Sequence, residues 1–202
     1  MSRCLFFIFI LFFEHLIASV QINEPAPDFT LTDSHGDKIS LSGFKGRTVI
    51  LEWTNHGCPF VARHYDTGNM QEIQKTARND NAVWISIISS APGTQGYVSK
   101  EKANELTKQR KAFPSNILLD LKGTVGRRYG AKTTPHMYLI DKEGVLRYQG
   151  AIDDAGGRGF ASKDLSKATN FVKKGLEEIK RNVSISSNTT KPYGCSIKYK
   201  SQ

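Results

Sequence analysis

Cys58 and Pro59 stand together in the stretch TNHGCPFVARHY, Thr54 to Tyr65, where an apolar run gives way to a helical pattern. Proline is favoured at the first helical position, where its missing N–H is not needed. A cysteine just before it meets the free N–H groups and the positive dipole end of the helix, both of which favour an anion. A thiolate is such an anion. The pattern therefore predicts a thiol with a lowered pKa and a raised nucleophilic fraction at neutral pH. Arg63 and His64, about one turn on, would add positive potential, and His56, just upstream, would do the same or shuttle a proton. The plainer alternatives are a buried core thiol for Cys58 and solvated or structural roles for the histidines.

The cysteine count supplies a partner. The chain has three, Cys4, Cys58 and Cys195. The N-terminal stretch MSRCLFFIFILFFEHLIAS has one Arg, an apolar run and small residues at Ala18 and Ser19, the layout of a signal peptide cleaved near Ala18–Val20. Glu14 and His15 interrupt the run, which argues against a membrane span, although an uncleaved anchor is the alternative. Cleavage predicts a periplasmic or secreted protein with no stable membrane insertion. It removes Cys4 and leaves Cys58 and Cys195, an even pair whose disulfide in an oxidising compartment would be catalytic or structural.

Composition excludes some classes. The 202 residues, with a net charge of +9, suit one globular domain rather than a disordered chain. The basic residues are scattered among acids, and no nucleic-acid motif accompanies them, so the charge reads as solvation. Glycine-rich phosphate-binding patterns are absent, and no cofactor is expected. Thiolates and imidazoles from Cys58, Cys195, His56 and His64 suit zinc or copper, but their spacing fits no closed zinc pattern. Asp153 and Asp154, in IDDAGGRG, read as a polar loop on the rim of the site rather than a calcium site. Asn182 and Asn188 open glycosylation sequons, which matter only in a eukaryotic source.

The elements that must position these residues alternate along the chain. DFTLTD reads as a short edge strand, SHGDK as a turn, TVILEWT as a buried central strand. A helix follows from Pro59, with a kink or break at DTGN. AVWISIISS is a second buried strand, then comes a helix opened by Ser99, the strand NILLD, and a short helix or turn in KGTVGRRYGA. TTPHMYLIDKEGVLRYQGAID reads as a hairpin, and a proline at its start, Pro135, cannot donate to a ladder. The last helix is expected over SKDLSKATNFVKKGLEEIKRN, capped by Ser162, with Leu165, Phe171, Val172, Leu176 and Ile179 buried. Together they predict a three-layer α/β/α sandwich with a mixed sheet. The expected division is a signal peptide over 1–20, one domain over 21–182, and a tail over 183–202.

Four blocks, APDFTL, VILEWTNHGCPFVARHYDTGNMQ, YGAKTTPHMYLIDKEGVLRYQGAIDD and TKPYGCSIKYK, resemble the redoxin group of the thioredoxin superfamily, the alkyl hydroperoxide reductase and thiol-specific antioxidant relatives. The resemblance implies a thioredoxin-like fold, with Pro135 as a cis-proline facing Cys58. It also implies oxidoreductase or antioxidant activity on a peroxide or a thiol/disulfide protein, with an external thiol as reductant. The departures are specific. Val61 stands where thioredoxins keep a second cysteine. Asn55 stands where peroxiredoxins place Thr or Ser, with Thr54 one residue too early. No arginine opens the late strand, so Arg127, Arg128 and Arg147 are the ones left to reach in. The proposed partner of Cys58 is then Cys195, presented by the turn in PYGC on a tail long enough to fold back. A static staple on a non-catalytic binding module is the rival reading.

Overall fold

A computed structural model of the chain describes residues 20–157 and 165–201. Most of the expected leader, Cys4 and Ser162 lie outside these residues. Among the described residues no helix is long and apolar enough to cross a membrane.

The centre is a seven-stranded mixed sheet. In chain order its strands are β1 (Thr30–Asp33), β2 (Lys38–Ser40), β3 (Val49–Trp53), β4 (Val83–Ile88), β5 (Asn116–Leu119), then β7 (His136–Ile140) and β8 (Leu146–Gly150). They lie side by side as β2-β1-β5-β4-β3-β7-β8. β3 runs parallel to β4, and β4 to β5, while β7 is antiparallel to β3. β3 and β4 are buried along their whole length, as the unbroken apolar runs require when both faces are covered.

Side chains alternate across β3 and so build two core layers. Val49, Leu51 and Trp53 pack with Val83, Ile85, Ile87, Tyr129 and Tyr138. Ile50 packs on the opposite face with Val61, Met70, Ile73, Trp84 and Leu139. The helices on that second face are α1 (Pro59–Asp66), α2 (Asn69–Asn79) and α5 (Phe171–Lys180). α3 (Lys100–Gln109) covers a smaller cluster of Ile88, Val98, Ala103 and Ile117, and α4 (Thr124–Arg128) carries Val125 against the first face.

The break expected at DTGN is real. Gly68 has φ 76°, a left-handed conformation that suits glycine, and separates α1 from α2. Ser99 caps α3 by accepting the Lys102 N–H at 3.2 Å, as expected. The last helix is a correction. It starts at Phe171, and its cap is Asn170, which accepts the Lys173 N–H at 2.9 Å. Leu165 lies ahead of it in a turn closed by the Ala168 N–H on the Leu165 carbonyl. The chain is held out of helix there because Asp153 and Asn170 form a bridge and the Phe171 N–H donates to Ile152.

The tail is not loose. A second, two-stranded sheet joins β6 (Thr133–Thr134) to β9 (Cys195–Ser196), with Thr134 opposite Cys195. Ile197, just beyond, is buried in the first core layer.

Candidate active site

Three elements meet at Cys58. β3 ends below it, α1 begins above it with Cys58 as N-cap and Pro59 in the first turn, and β6 crosses in front. The Cys58 side chain is fully buried, and its Sγ–H donates to the Thr134 carbonyl at 3.0 Å. Thr134 precedes Pro135 through a cis peptide bond, as the resemblance implies. On the far side of Thr134 lies β9. Gly194 packs so tightly there that a Cβ on it would come within 1.9 Å of the Thr134 oxygen. Only a bare backbone lets the strand approach that closely.

The same strand brings the second thiol in. Both cysteines are free, Cys58 buried and Cys195 half-buried, and Cys195 packs against the core cluster that contains Cys58. Burial pushes the Cys58 pKa up, but the polar surroundings, the Cys195 side chain, the Val61 N–H and the Thr134 hydroxyl, outweigh it and leave the thiol below its ordinary value. Val61 N–H is one of the free amides of the α1 N-terminus. Cys195 moves the other way. Burial and the neighbouring Cys58 push it up to about 11. The pair is thus polarised, a deep thiol that ionises readily beside a shallower one that keeps its proton.

The other expected residues are more dispersed. Thr54 and His56 line a pocket under α3 together with Tyr65, Thr107 and Arg110. The Thr54 hydroxyl is buried there without a hydrogen-bond partner. His56 accepts Arg110 on its backbone carbonyl at 2.8 Å, and burial, Arg110 and Lys102 lower its ring pKa. Arg63 is buried and turns its guanidinium toward the rings of Phe60 and Tyr193. His64 corrects the expectation of added positive potential, because burial holds its pKa down to about 4 and the ring is neutral at pH 7. The three later arginines do not reach Cys58. Arg127 stacks over Tyr199, Arg128 donates to the Asp28 carbonyl, and Arg147 pairs with Asp141 at 2.6 Å.

Sequence reasoning missed the group that seats the tail. Tyr193, two residues before Cys195, reaches into a socket of Arg63, His64 and Asp153. The sequence pattern places Asp153 in a rim loop and does not single out Tyr193. The available signal was an aromatic residue beside the second cysteine, facing a paired-acid, paired-glycine segment. Among the described residues no group of three or more His, Cys, Asp or Glu side chains could hold a metal ion.

The chain that builds this site is similar to several known proteins. The chain is 27% identical over 140 residues to a putative peroxiredoxin bcp of Coxiella burnetii, covering 68% of this chain and 85% of that protein. It is 25% identical over 134 residues to the thiol-disulfide oxidoreductase ResA of Bacillus thuringiensis, covering 63% of this chain and 68% of that one. A hypothetical protein from Sinorhizobium meliloti shares the fold at a TM-score of 0.78, with 20% identity over 92% of this chain and 98% of its own. The fold is thioredoxin-like. The AhpC/TSA family model matches residues 22–149, and the chain belongs to the family its residues resemble, the AhpC/TSA family.

Proposed function

We propose that the protein is an exported thiol-based oxidoreductase in which Cys58 is the nucleophile and Cys195 resolves it. The observation that carries this reading is the placement of the two cysteines about one residue: the Cys58 thiol bonds the Thr134 carbonyl, and the tail strand pairs Cys195 opposite Thr134. Relatives named as peroxiredoxin and as thiol-disulfide oxidoreductase support oxidoreductase chemistry in general.

The cycle balances for either oxidant. With a hydroperoxide, the Cys58 thiolate attacks one oxygen, an S–O bond forms, the O–O bond breaks, and the alkoxide or hydroxide leaves and takes a proton. Cys195 then attacks the sulfenic sulfur, the S–S bond forms and water leaves. With a disulfide, Cys58 displaces one thiolate, and Cys195 displaces the other from the mixed disulfide. Two equivalents of an external thiol return the pair to the dithiol and are themselves oxidised to a disulfide. Pro135 and Thr134 shape the wall against which the sulfurs meet, while Thr54, His56 and Arg63 surround the helix start.

Mass spectrometry after one equivalent of oxidant tests this. The wild type is expected to lose two hydrogens, with Cys58 and Cys195 in one disulfide-linked peptide pair. Cys195→Ser should accumulate the sulfenic acid or the mixed disulfide on Cys58, and Cys58→Ser should stay reduced. Unreactive Cys58 in both the wild type and Cys195→Ser would leave a structural pair on a binding module.

A further inference from the structure

The segment that carries Cys195 is a strap fastened at both ends. At Thr190 the N–H donates to the Gln149 carbonyl at 3.1 Å, and the hydroxyl accepts the Ala151 N–H at 2.9 Å. At Ile197 the N–H donates to the Lys132 carbonyl at 3.0 Å, and the side chain is buried. Midway between these fastenings Tyr193 plunges into the domain.

Its socket is built for a phenol. His64 is neutral, and Asn69 donates its amide to Nδ1 at 2.8 Å, so the ring proton sits on Nε2 and is given to the Tyr193 hydroxyl at 3.0 Å. Arg63 Nη2 donates to the same oxygen at 3.3 Å. The hydroxyl donates in turn to Asp153, whose carboxyl is 2% exposed. Under the ring lies Gly156, where a Cβ would stand 2.2 Å from a ring carbon. Burial first, then Asp153, pushes the phenol pKa far up, so it remains a donor.

Seated this way, the strap closes two routes to Cys58. The sulfur has no exposed surface, and the backbone edge of Thr133–Thr134 beside it is already paired with β9. A disulfide within another protein brings its own backbone, and an exposed strand edge is what an extended segment pairs with. Here that edge is taken. A hydroperoxide has no backbone to place and so does not need that edge.

We propose that the Tyr193 socket sets substrate class, holding the strap over Cys58 so that small hydroperoxides are reduced and protein disulfides are turned away. The proposal rests on Cys58 being the nucleophile. Tyr193 acts through the strap and touches neither reacting sulfur, so it is a positioning residue. The bonds made and broken are those of the peroxide cycle above, with the external thiol as reductant. A protein disulfide would enter the same cycle only after the strap lifts.

The test uses the reduced full-length protein, with loss of the Cys58 thiol followed after addition of hydrogen peroxide or of insulin as a protein disulfide. Gly156→Ala pushes the ring out of its socket, and Tyr193→Phe deletes the hydroxyl and its hydrogen bonds. Either variant is expected to react with insulin about tenfold faster than the wild type, the scale of losing one buried hydrogen-bonded group. The peroxide rate of Gly156→Ala should stay within about twofold, because that route never needed the edge. An unchanged insulin rate in both variants, or equal acceleration of insulin and peroxide, would overturn the proposal alone. A Cys58 that reacts with neither oxidant in any of the three proteins would remove the nucleophile reading, and the proposal with it. Should Gly156→Ala not fold, Tyr193→Phe alone still decides.

Discussion

His64 and Tyr65 are neighbours on α1, yet they serve two different buried polar centres. Tyr65 points to Glu52, a fully buried residue in the middle of β3. The Glu52 carboxyl accepts the Tyr65 hydroxyl on both oxygens at 3.1 Å, the Trp84 indole N–H at 2.9 Å and the Ser86 hydroxyl at 2.8 Å. His64 points instead to the Tyr193 socket. The first centre is made wholly by strands and helices of the domain core. The second borrows its central hydroxyl from the strap. The difference separates two uses of the same physics. A buried polar cluster whose partners are all core elements can be lost only by unfolding, whereas one that includes a strap can be lost by local opening.

Breaking the first centre should cost the most. Glu52→Ala removes an acceptor and strands three buried donors, those of Tyr65, Trp84 and Ser86. A destabilisation of about 4 kcal/mol is expected from hydrogen bonds of this type left unmade. The urea midpoint should fall for the whole domain at once, with the fluorescence of Trp84 and the far-UV signal moving together. A local change at the tail with the core midpoint intact would mean that the two centres are not separate.

Acid should find the second centre next. His64 has a folded pKa of about 4 and His136 of about 3, against an ordinary value of 6.5. Burial lowers both, helped by Arg63 at His64 and by Lys132 at His136, while Asp153 pulls His64 back up. Because the folded values are depressed, the unfolded chain binds more protons below about pH 6.5. Stability is therefore full above that pH and is lost as pH falls toward the folded values. Between pH 7 and pH 4.5 each histidine should cost about 2–3 kcal/mol, at about 1.4 kcal/mol per unit. Asp28 and Asp33, held below 3.8 by hydrogen bonds that outweigh their desolvation, titrate under this window. His64→Gln should roughly halve the drop in urea midpoint across the window, since among the described residues it leaves His136 as the one deeply buried histidine. An identical pH slope in the variant would show that His64 is protonated in the folded protein.

The two centres also differ in how far the sequence announces them. β3, β4 and the Cys58–Pro59 seam are legible because local rules govern them, namely an unbroken apolar run, a proline at a helix start and a glycine at a helix break. The same rules locate Gly68 and the Ser99 cap. They fail at Ser162 and Asn170, where the bridge to Asp153 decides the start of α5. They also fail at the socket, whose members Arg63, His64, Asp153, Gly156 and Tyr193 share no spacing. Each looks ordinary alone. Their relation appears only when β8 and the strap are folded against α1, which is a tertiary fact with no local signature. Glu52 is an intermediate case, since a carboxyl inside the run VILEW marks a buried acid without naming its partners.

The smallest expected effect sharpens the contrast most. Tyr193→Phe keeps the ring above Gly156 and removes only the hydroxyl that links His64, Arg63 and Asp153. If the strap opens independently of the core, the lost bonds act on the local equilibrium and barely on global unfolding. The urea midpoint of the domain should then shift by less than about 1 kcal/mol equivalent. Amide exchange at Cys195, within the β6–β9 pair, should accelerate, while exchange in β3 and β4 stays that of the wild type. Equal acceleration in the strap and in β3 would merge the two centres into one cooperative unit. The strap could then lift only when the whole protein unfolds, and no local opening would be left to admit a protein disulfide to Cys58.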